Sequence, residues 1–188
     1  MISFENVDFS YNDNQIIKNL SFKLNDGESL LITGHSGCGK TTVARLILGL
    51  LMPDSGKISA PEKISTVFQE DRLISKFNVR KNIYLPLSKH RYGFADKLIS
   101  EFGFDDIANS SISRLSGGMK RRIAIIRAIA YGGNALILDE PFNGIDSRNV
   151  SLIKDIIMRE YTEKSKSVII ISHNKSDVVA TNSKILEL

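Results

Sequence analysis

The sequence has little of what marks several specialised classes of protein. Its 188 residues include one cysteine and four prolines, so it can form no internal disulfide and is not a disulfide scaffold. With 13 glycines and a hydrophobic fraction of 42%, it is neither collagen-like nor disordered. A chain of this length buries roughly 70% of its unfolded surface, so we expect one domain with one core.

Long apolar runs and targeting signals are also missing. The longest apolar stretch, residues 46–52, contains Gly49 and is far shorter than the roughly 20 residues of a membrane span. The N-terminus has neither the basic residues nor the apolar run of a secretory signal. We therefore expect a soluble chain that works at a membrane only by docking onto another protein.

The chain has only a small excess of positive over negative charge. The 25 Lys and Arg residues against 21 Asp and Glu residues give a net charge of +4. The densest basic run is Lys120-Arg121-Arg122. We interpret it as the solvated face of a helix rather than a nucleic-acid patch, and we expect no direct nucleic-acid partner.

The hydrophobic pattern predicts an α/β fold with a mostly parallel central sheet flanked by helices. Antiparallel strands are expected near the N-terminus. Buried strands are predicted at residues 29–33, 135–138 and 168–171, an edge strand at 184–188, and helices at 42–50, 78–129 and 147–161. The pattern favours a core of about residues 1–75 and 132–188, with a helical subdomain of about residues 76–131 inserted into it.

A phosphate-binding loop follows the first predicted buried strand. Residues 34–41 read GHSGCGKT and fit the pattern G-x-x-x-x-G-K-[ST]. Glycines let the backbone N–H groups converge on phosphate oxygens at a helix N-terminus, Lys40 reaches the β- and γ-phosphates, and Thr41 can ligate Mg²⁺. His35 and Cys38 occupy variable positions, where we expect their side chains to take no part in the chemistry, with a reactive Cys38 thiol at the helix N-terminus as the alternative. The predicted phosphate-binding residues are Gly34, His35, Ser36, Gly37, Cys38, Gly39, Lys40, Thr41 and Thr42.

An acidic pair ends the predicted strand at residues 135–138. Asp139 and Glu140 follow four apolar residues, and a buried parallel strand delivers such side chains into the ligand crevice of the sheet. Asp139 there can hold Mg²⁺ through water, and Glu140 can polarise an attacking water. Together with the phosphate loop, this pair predicts nucleotide hydrolysis.

The third motif narrows the interpretation. Residues 115–119 read LSGGM and resemble the signature motif of the ABC-type ATPases. A serine followed by two glycines at a helix start offers a hydroxyl and bare N–H groups to an anion, although an ordinary helix cap has the same residues. The signature residues are Leu115, Ser116, Gly117, Gly118 and Met119.

Four further residues match that family in order along the chain. Tyr11 lies where the family often has an aromatic that stacks on adenine, and Gln69 resembles the Q-loop glutamine. Asp146 resembles the D-loop aspartate, and His173, just after the predicted strand at 168–171, resembles the switch histidine. The resemblance covers nearly the whole chain, from Tyr11 to His173.

The resemblance implies a composite ATPase site. In this family two cassettes pair head to tail, with ATP between the phosphate loop of one and the signature motif of the other, as a homodimer or with a paired ATPase subunit. The implied catalytic residues are Glu140, His173, Lys40 and Gln69. The implied Mg²⁺ ligands are Thr41, Gln69 and Asp139.

The resemblance also implies a place of action. A transporter subunit of this kind works on the cytoplasmic face of a prokaryotic cell membrane and powers a separate permease, which a substrate-binding protein joins in importers. Residues 70–73, EDRL, resemble importer ATPases of the nitrate, sulfonate and taurine type. Two alternatives remain: a soluble ABC-type ATPase not coupled to transport, and a non-hydrolysing module, which the presence of Lys40, Glu140 and His173 disfavours.

The sequence departs from the family in three ways. Met119 replaces the frequent glutamine, so a reciprocal capping box is lost. Gly144 lies in an atypical D-loop, which we expect it to loosen. The short spacing from Gly56 to Gln69 leaves little room for the usual antiparallel insert, and with 15 residues after His173 we expect no regulatory C-terminal domain.

Overall fold

A central parallel sheet organises the protein in a computed structural model that describes residues 1–188. The strands are β1 (Ile2–Tyr11), β2 (Asn14–Leu24), β3 (Ser29–Thr33), β4 (Ser55–Ser59), β5 (Ile64–Val67), β6 (Ala135–Asp139), β7 (Ser167–Ile171) and β8 (Lys184–Glu187). The helices are α1 (Lys40–Ile47), α2 (Val79–Tyr84), α3 (Tyr92–Glu101), α4 (Gly117–Tyr131) and α5 (Ser147–Glu160).

The strands form two separate sheets. The larger has five strands in the order β5-β6-β7-β3-β8, and each neighbouring pair in it is parallel. The smaller has three strands in the order β2-β1-β4 and is antiparallel. The predicted fold class is therefore confirmed, including the N-terminal antiparallel strands and the edge position of β8.

Apolar side chains cover both faces of the parallel sheet, as expected for a sheet with crossovers on each side. On β6, Leu136 and Leu138 join a cluster with the helices α2–α5. The alternate residues Ala135 and Ile137 join a second cluster with α1 and the antiparallel sheet. The period-2 alternation of the strand thus divides one core into two layers.

Two predicted helices have different limits in the structure. The helix predicted at 42–50 is α1, which begins at Lys40 and ends at Ile47, where Gly49 takes a left-handed φ of 66°. The segment 78–129 is not continuously helical, because residues 85–91 separate α2 from α3 and residues 102–116 separate α3 from α4, each stretch with only a short 3₁₀ turn. Gly103, at φ 69°, ends α3 by the same left-handed device.

The helical region and the sheet share apolar contacts. Buried residues of α2, α3 and α4 belong to the same cluster as Leu136 and Val168 of the sheet. The division into a core and an inserted subdomain stays a prediction. No helix in the chain combines the length and apolarity needed to cross a membrane.

Candidate functional site

Four parallel strands end at the same edge of the sheet, and a predicted site segment follows each of them. The phosphate loop follows β3, Gln69 follows β5, Glu140 follows β6 and His173 follows β7. In the register, Asp139 at the end of β6 is opposite Ile171 at the end of β7. Because ligands of open α/β sheets bind at the carboxyl ends of strands, this edge is the candidate site.

A cavity of about 300 Å³ opens at this edge, a volume suited to a small ligand. Most of its lining was predicted from the sequence, apart from Ile16 of β2. Ile16 contributes an apolar wall beside Tyr11, and the alternation that identified neighbouring strand residues gave no sign of this role. The lining residues are Tyr11, Ile16, Ser36, Gly37, Gly39, Lys40, Thr41, Thr42, Gln69, Asp139 and Glu140.

The phosphate loop owes its shape to its glycines. Gly37 and Gly39 have φ values of 84° and 107°, a region that L side chains rarely adopt. The loop then enters α1, whose first N–H groups point back into it. The ammonium of Lys40 donates to the carbonyl oxygens of Gly34 and His35, each at 2.8 Å, so the lysine lies along the loop at the cavity wall.

Thr41 and Asp139 place two oxygen ligands side by side. The Thr41 hydroxyl donates to Oδ2 of Asp139 at 2.8 Å, and Asp139 is only 4% exposed. Burial raises the pKa of the Asp139 carboxyl, opposed by the hydrogen bond from Thr41. A hydroxyl and a carboxylate at the phosphate loop are the kind of oxygen donors that Mg²⁺ takes, so these residues fit the ion.

Glu140 and His173 form the second polar pair. Nδ1 of His173 lies 3.1 Å from both carboxylate oxygens of Glu140, and the Glu140 N–H donates to the carbonyl of Ile171 at 2.9 Å. Glu140 has a φ of 47°, a conformation that costs a non-glycine residue about 1–3 kcal/mol and is typical of functional sites. Asn143, which the sequence did not indicate, donates to Glu140 Oε2 at 3.4 Å.

The signature motif lies outside this cavity. Ser116 caps α4 by accepting from the backbone N–H of residue 119 at 3.3 Å, a bond that the Met119 side chain does not affect. Gly118 packs so closely on the D-loop that an added Cβ would lie 2.5 Å from the Gly144 carbonyl oxygen. None of residues 115–119 lines the cavity.

The D-loop aspartate and three phosphate-loop residues also lie outside the lining. Asp146 caps α5 by accepting from the Asn149 N–H at 3.0 Å, and hydrogen bonds from Asn149 lower the pKa of its carboxyl. Gly34, His35 and Cys38 belong to the loop but do not line the cavity. Within a single chain, therefore, the phosphate loop, Gln69 and the acidic pair come together, and His173 joins them through Glu140 although it does not line the cavity. The signature residues and the D-loop aspartate do not join them.

One sequence-based interpretation is wrong. Arg121, expected on a solvated helix face, is only 5% exposed, and its guanidinium donates to backbone carbonyls behind the site, including that of Gln69 at 2.8 Å. Its spacing on α4 was the missed signal, because Ala124, Ile125 and Ala128 lie three, four and seven residues on and are buried. Lys120 and Arg122 are half-buried, and the Arg122 guanidinium donates to Oδ1 of Asn149 at 2.9 Å, so no residue of the basic run lies on a fully solvated face.

Known proteins resemble this chain along its whole length. Residues 17–143 match the family model described as ABC transporter. The phosphonates import ATP-binding protein PhnC of Fusobacterium nucleatum is 31% identical over 100% of this chain and 88% of its own length. The aliphatic sulfonates import ATP-binding protein SsuB 1 of Shouchella clausii is 30% identical over 98% of this chain and 75% of its own length.

A solved structure indicates the same family as these relatives. The dimeric structure of MJ0796, a bacterial ABC transporter cassette, superposes with a TM-score of 0.88 at 26% identity, covering 100% of this chain and 94% of that one. The family model alone matches more than half of the chain. The chain therefore belongs to the ABC transporter family, as an ATP-binding subunit whose ATP hydrolysis powers transport through a separate membrane permease.

Proposed function

We propose that the chain hydrolyses ATP between two cassettes arranged head to tail, with the residues of the described cavity on one side and a signature motif on the other. The observation that carries this proposal is that the cavity residues and the signature motif are separated within one chain. The phosphate loop, Asp139 and Glu140 line one cavity. The N-terminus of α4, with Ser116 and its two glycines, lies outside that cavity, so a second chain is needed to bring a signature motif to the nucleotide.

Each part of the cavity has a distinct task in this proposal. Tyr11 stacks on the adenine, and the backbone N–H groups of the phosphate loop and the Lys40 ammonium bind the phosphates. Glu140 accepts a hydrogen bond from the attacking water and orients it toward the γ-phosphate. His173 holds the Glu140 carboxylate from the next strand and turns toward the γ-phosphate when ATP is present.

Thr41 and Asp139 would hold Mg²⁺, with Gln69, which lines the same cavity, as a further ligand. The ion supplies charge neutralisation of the β- and γ-phosphates when it is bound. The raised pKa of Asp139 has burial as its main cause, and a cation beside the carboxylate would favour its ionised form. Burial of the Asp139 carboxylate costs free energy in the absence of a cation, and binding of Mg²⁺ would offset that cost.

The partners follow from membership of the family. ABC cassettes dimerise and work with membrane permease subunits, and we propose that this chain forms a homodimer on the cytoplasmic face of the membrane. The relatives are named for phosphonate and aliphatic sulfonate import, which supports an importer as the complex. In that case a substrate-binding protein delivers the cargo to the permease.

The variant Glu140→Gln tests the hydrolysis step. The glutamine keeps the shape of the side chain, but its amide is uncharged and is not a base that can polarise the attacking water. We therefore expect turnover to fall by about 100-fold or more. ATP binding should persist, and the variant should elute as a dimer with Mg-ATP on a sizing column.

The control is Glu70→Gln, an exposed carboxylate next to Gln69 that does not line the cavity, and we expect its turnover to match that of the unchanged chain. A Glu140→Gln chain that still hydrolyses ATP would remove Glu140 from the catalytic role. One that binds ATP but stays monomeric would contradict the head-to-tail arrangement.

Affinity purification tests the transporter complex. The tagged chain, expressed in its native host and extracted in mild detergent, should carry down a multi-spanning permease in stoichiometric amount from the membrane fraction. A substrate-binding protein recovered with that permease would identify an importer. Recovery from the soluble fraction alone, with nucleic acid, ribosomes or nothing, would favour the soluble ATPase instead.

A further inference from the structure

The Arg121 side chain, on the second turn of α4, extends inward behind the catalytic edge. Its Nη1 donates to the carbonyl of Phe68 at 2.6 Å, and its Nη2 donates to that of Gln69 at 2.8 Å. The same Nη2 donates to the carbonyl of Glu140 at 3.1 Å. One guanidinium thus bonds the backbone of two segments that follow different strands, β5 and β6.

The charge of Arg121 is matched on the same side. Nη1 lies 3.1 Å from Oδ1 of Asp71, and the arginine side chain is only 7% exposed. A planar guanidinium presents several N–H groups in fixed directions, which suits a group that must satisfy several acceptors at once. Because a buried unpaired charge is costly, this set of bonds holds the arginine in one position.

We propose that Arg121 is a positioning residue that couples the position of the signature helix α4 to the catalytic Glu140 and to Gln69 of the same subunit. The proposal rests on the role of Glu140 set out above. In this arrangement a displacement of α4, caused by a nucleotide or a permease, displaces the backbone of both residues together. Arg121 touches neither the cavity nor a reacting atom.

The backbone of Glu140 explains why such a contact matters for turnover. Its φ of 47° is unfavourable for a residue with a side chain, and the Arg121 bond to its carbonyl helps to hold it there. Without that donor the peptide can rotate toward an ordinary conformation. The carboxylate would then move away from His173, whose Nδ1 it holds at 3.1 Å.

Arg127 provides a matched control on the same helix. Its two terminal nitrogens donate to the carbonyls of Asp71 and Arg72, each at 2.8 Å. It therefore anchors the same loop to α4 without bonding Gln69 or Glu140. Loss of Arg127 removes loop anchoring alone, whereas loss of Arg121 also releases the catalytic backbone.

The experiment compares Arg121→Lys with Arg127→Lys in the full chain. Lysine keeps the positive charge beside Asp71, but its single ammonium lacks the planar fork with which the guanidinium reaches the carbonyls of Phe68, Gln69 and Glu140 together. For Arg121→Lys we expect kcat to fall by about 10- to 100-fold, as for a small misplacement of a reacting group, with KM and the dissociation constant for ATP unchanged. For Arg127→Lys we expect no comparable fall.

A spectroscopic measurement separates positioning from general loosening of the fold. The chain has three histidines, so the imidazole NMR signal of His173 can be assigned by single substitutions. Arg121→Lys should shift that signal and Arg127→Lys should not, with both variants melting cooperatively. Equal kcat losses in the two variants, or an unshifted His173 signal in Arg121→Lys, would overturn the proposal.

A double-mutant cycle separates failure of this inference from failure of the proposed function. If Arg121 acts through Glu140, Arg121→Lys should lower the residual turnover of Glu140→Gln far less than that of the unchanged chain. Full additivity would overturn the coupling even though Glu140 remains catalytic. If Glu140→Gln alone leaves turnover intact, the proposed function fails first.

Discussion

The phosphate loop and the segment after β5 line the same cavity but are held in different ways. We call residues 68–77 the Q segment. The phosphate loop takes its shape from its own glycines, with Gly37 and Gly39 at φ 84° and 107°. The Q segment contains no glycine and is held by side chains from other elements.

Three remote side chains hold the Q segment. Arg121 and Arg127 of α4 bond its first carbonyls, across 52 to 56 residues of sequence. Asn82 of α2, which has no exposed surface, accepts from the Ile74 N–H at 2.7 Å and donates to the Ile74 carbonyl at 3.1 Å. The position of the Q segment therefore depends on the positions of α2 and α4, whereas the conformation of the phosphate loop depends on neither helix.

The two regions are therefore sensitive to different changes. A loop built from local backbone conformation fails when one of its own residues is changed. A segment built from distant hydrogen bonds can fail at a residue that never approaches the ligand. It can also move as a unit when a helix moves, which suits the part of an ATPase that must respond to a partner.

Of the two changes that test this comparison, Gly39→Ala is expected to have the larger effect, because it disrupts the phosphate loop locally. An alanine at φ 107° is strained, and its Cβ would lie 2.8 Å from Cδ1 of Ile17 and 2.9 Å from Cγ2 of Ile16. A cost of about 1–3 kcal/mol, expressed mainly in the geometry of the N–H groups, would weaken ATP binding by about 10-fold or more. Titration calorimetry with Mg-ATP measures it.

The control for that prediction is Gly49→Ala. Gly49 has a left-handed φ of 66°, and a Cβ added to it would have no neighbour within 4 Å. It follows the end of α1 and does not line the cavity. We expect some loss of stability and no change in the affinity for ATP. If Gly39→Ala binds ATP as tightly as Gly49→Ala does, the loop does not depend on that backbone conformation.

The same contrast explains what the sequence could and could not predict. The phosphate loop, the acidic pair and the signature are contiguous motifs, so their residue types and spacing carry their identity. The parallel order of the strands explains why the phosphate loop and the acidic pair converge. The roles of Arg121 and Asn82 depend on which elements pack together, and no local pattern specifies that. Ile16 was missed for a related reason, because its place at the cavity comes from the way the antiparallel sheet is laid against the phosphate loop.

Helix spacing alone would have corrected the interpretation of Arg121 as a solvated residue. Arg121 shares a face of α4 with buried Ile125 and Ala128, and an arginine in that phase must find acceptors inside the protein. The sequence shows that such acceptors are needed but not which carbonyls supply them. The carbonyls of Phe68 and Gln69 follow β5 and that of Glu140 follows β6, and these two strands are neighbours only in the folded sheet.

A smaller effect, on stability rather than on ATP affinity, is expected when the Q segment is broken from a distance by Asn82→Ala. The change removes the acceptor of the Ile74 N–H and one of the two donors to the Ile74 carbonyl, which keeps its bond from the Phe77 N–H at 3.0 Å. It should lower the free energy of unfolding by about 1–3 kcal/mol, measured by urea unfolding. ATP affinity should not change, because the phosphate loop is untouched. Asn78→Ala is the control: its side chain only caps the same helix, accepting from the Lys81 N–H at 2.8 Å, and such a cap is worth about 1 kcal/mol. If Asn82→Ala costs no more than Asn78→Ala, Asn82 does not hold the Q segment, and the contrast with the phosphate loop fails at its α2 side.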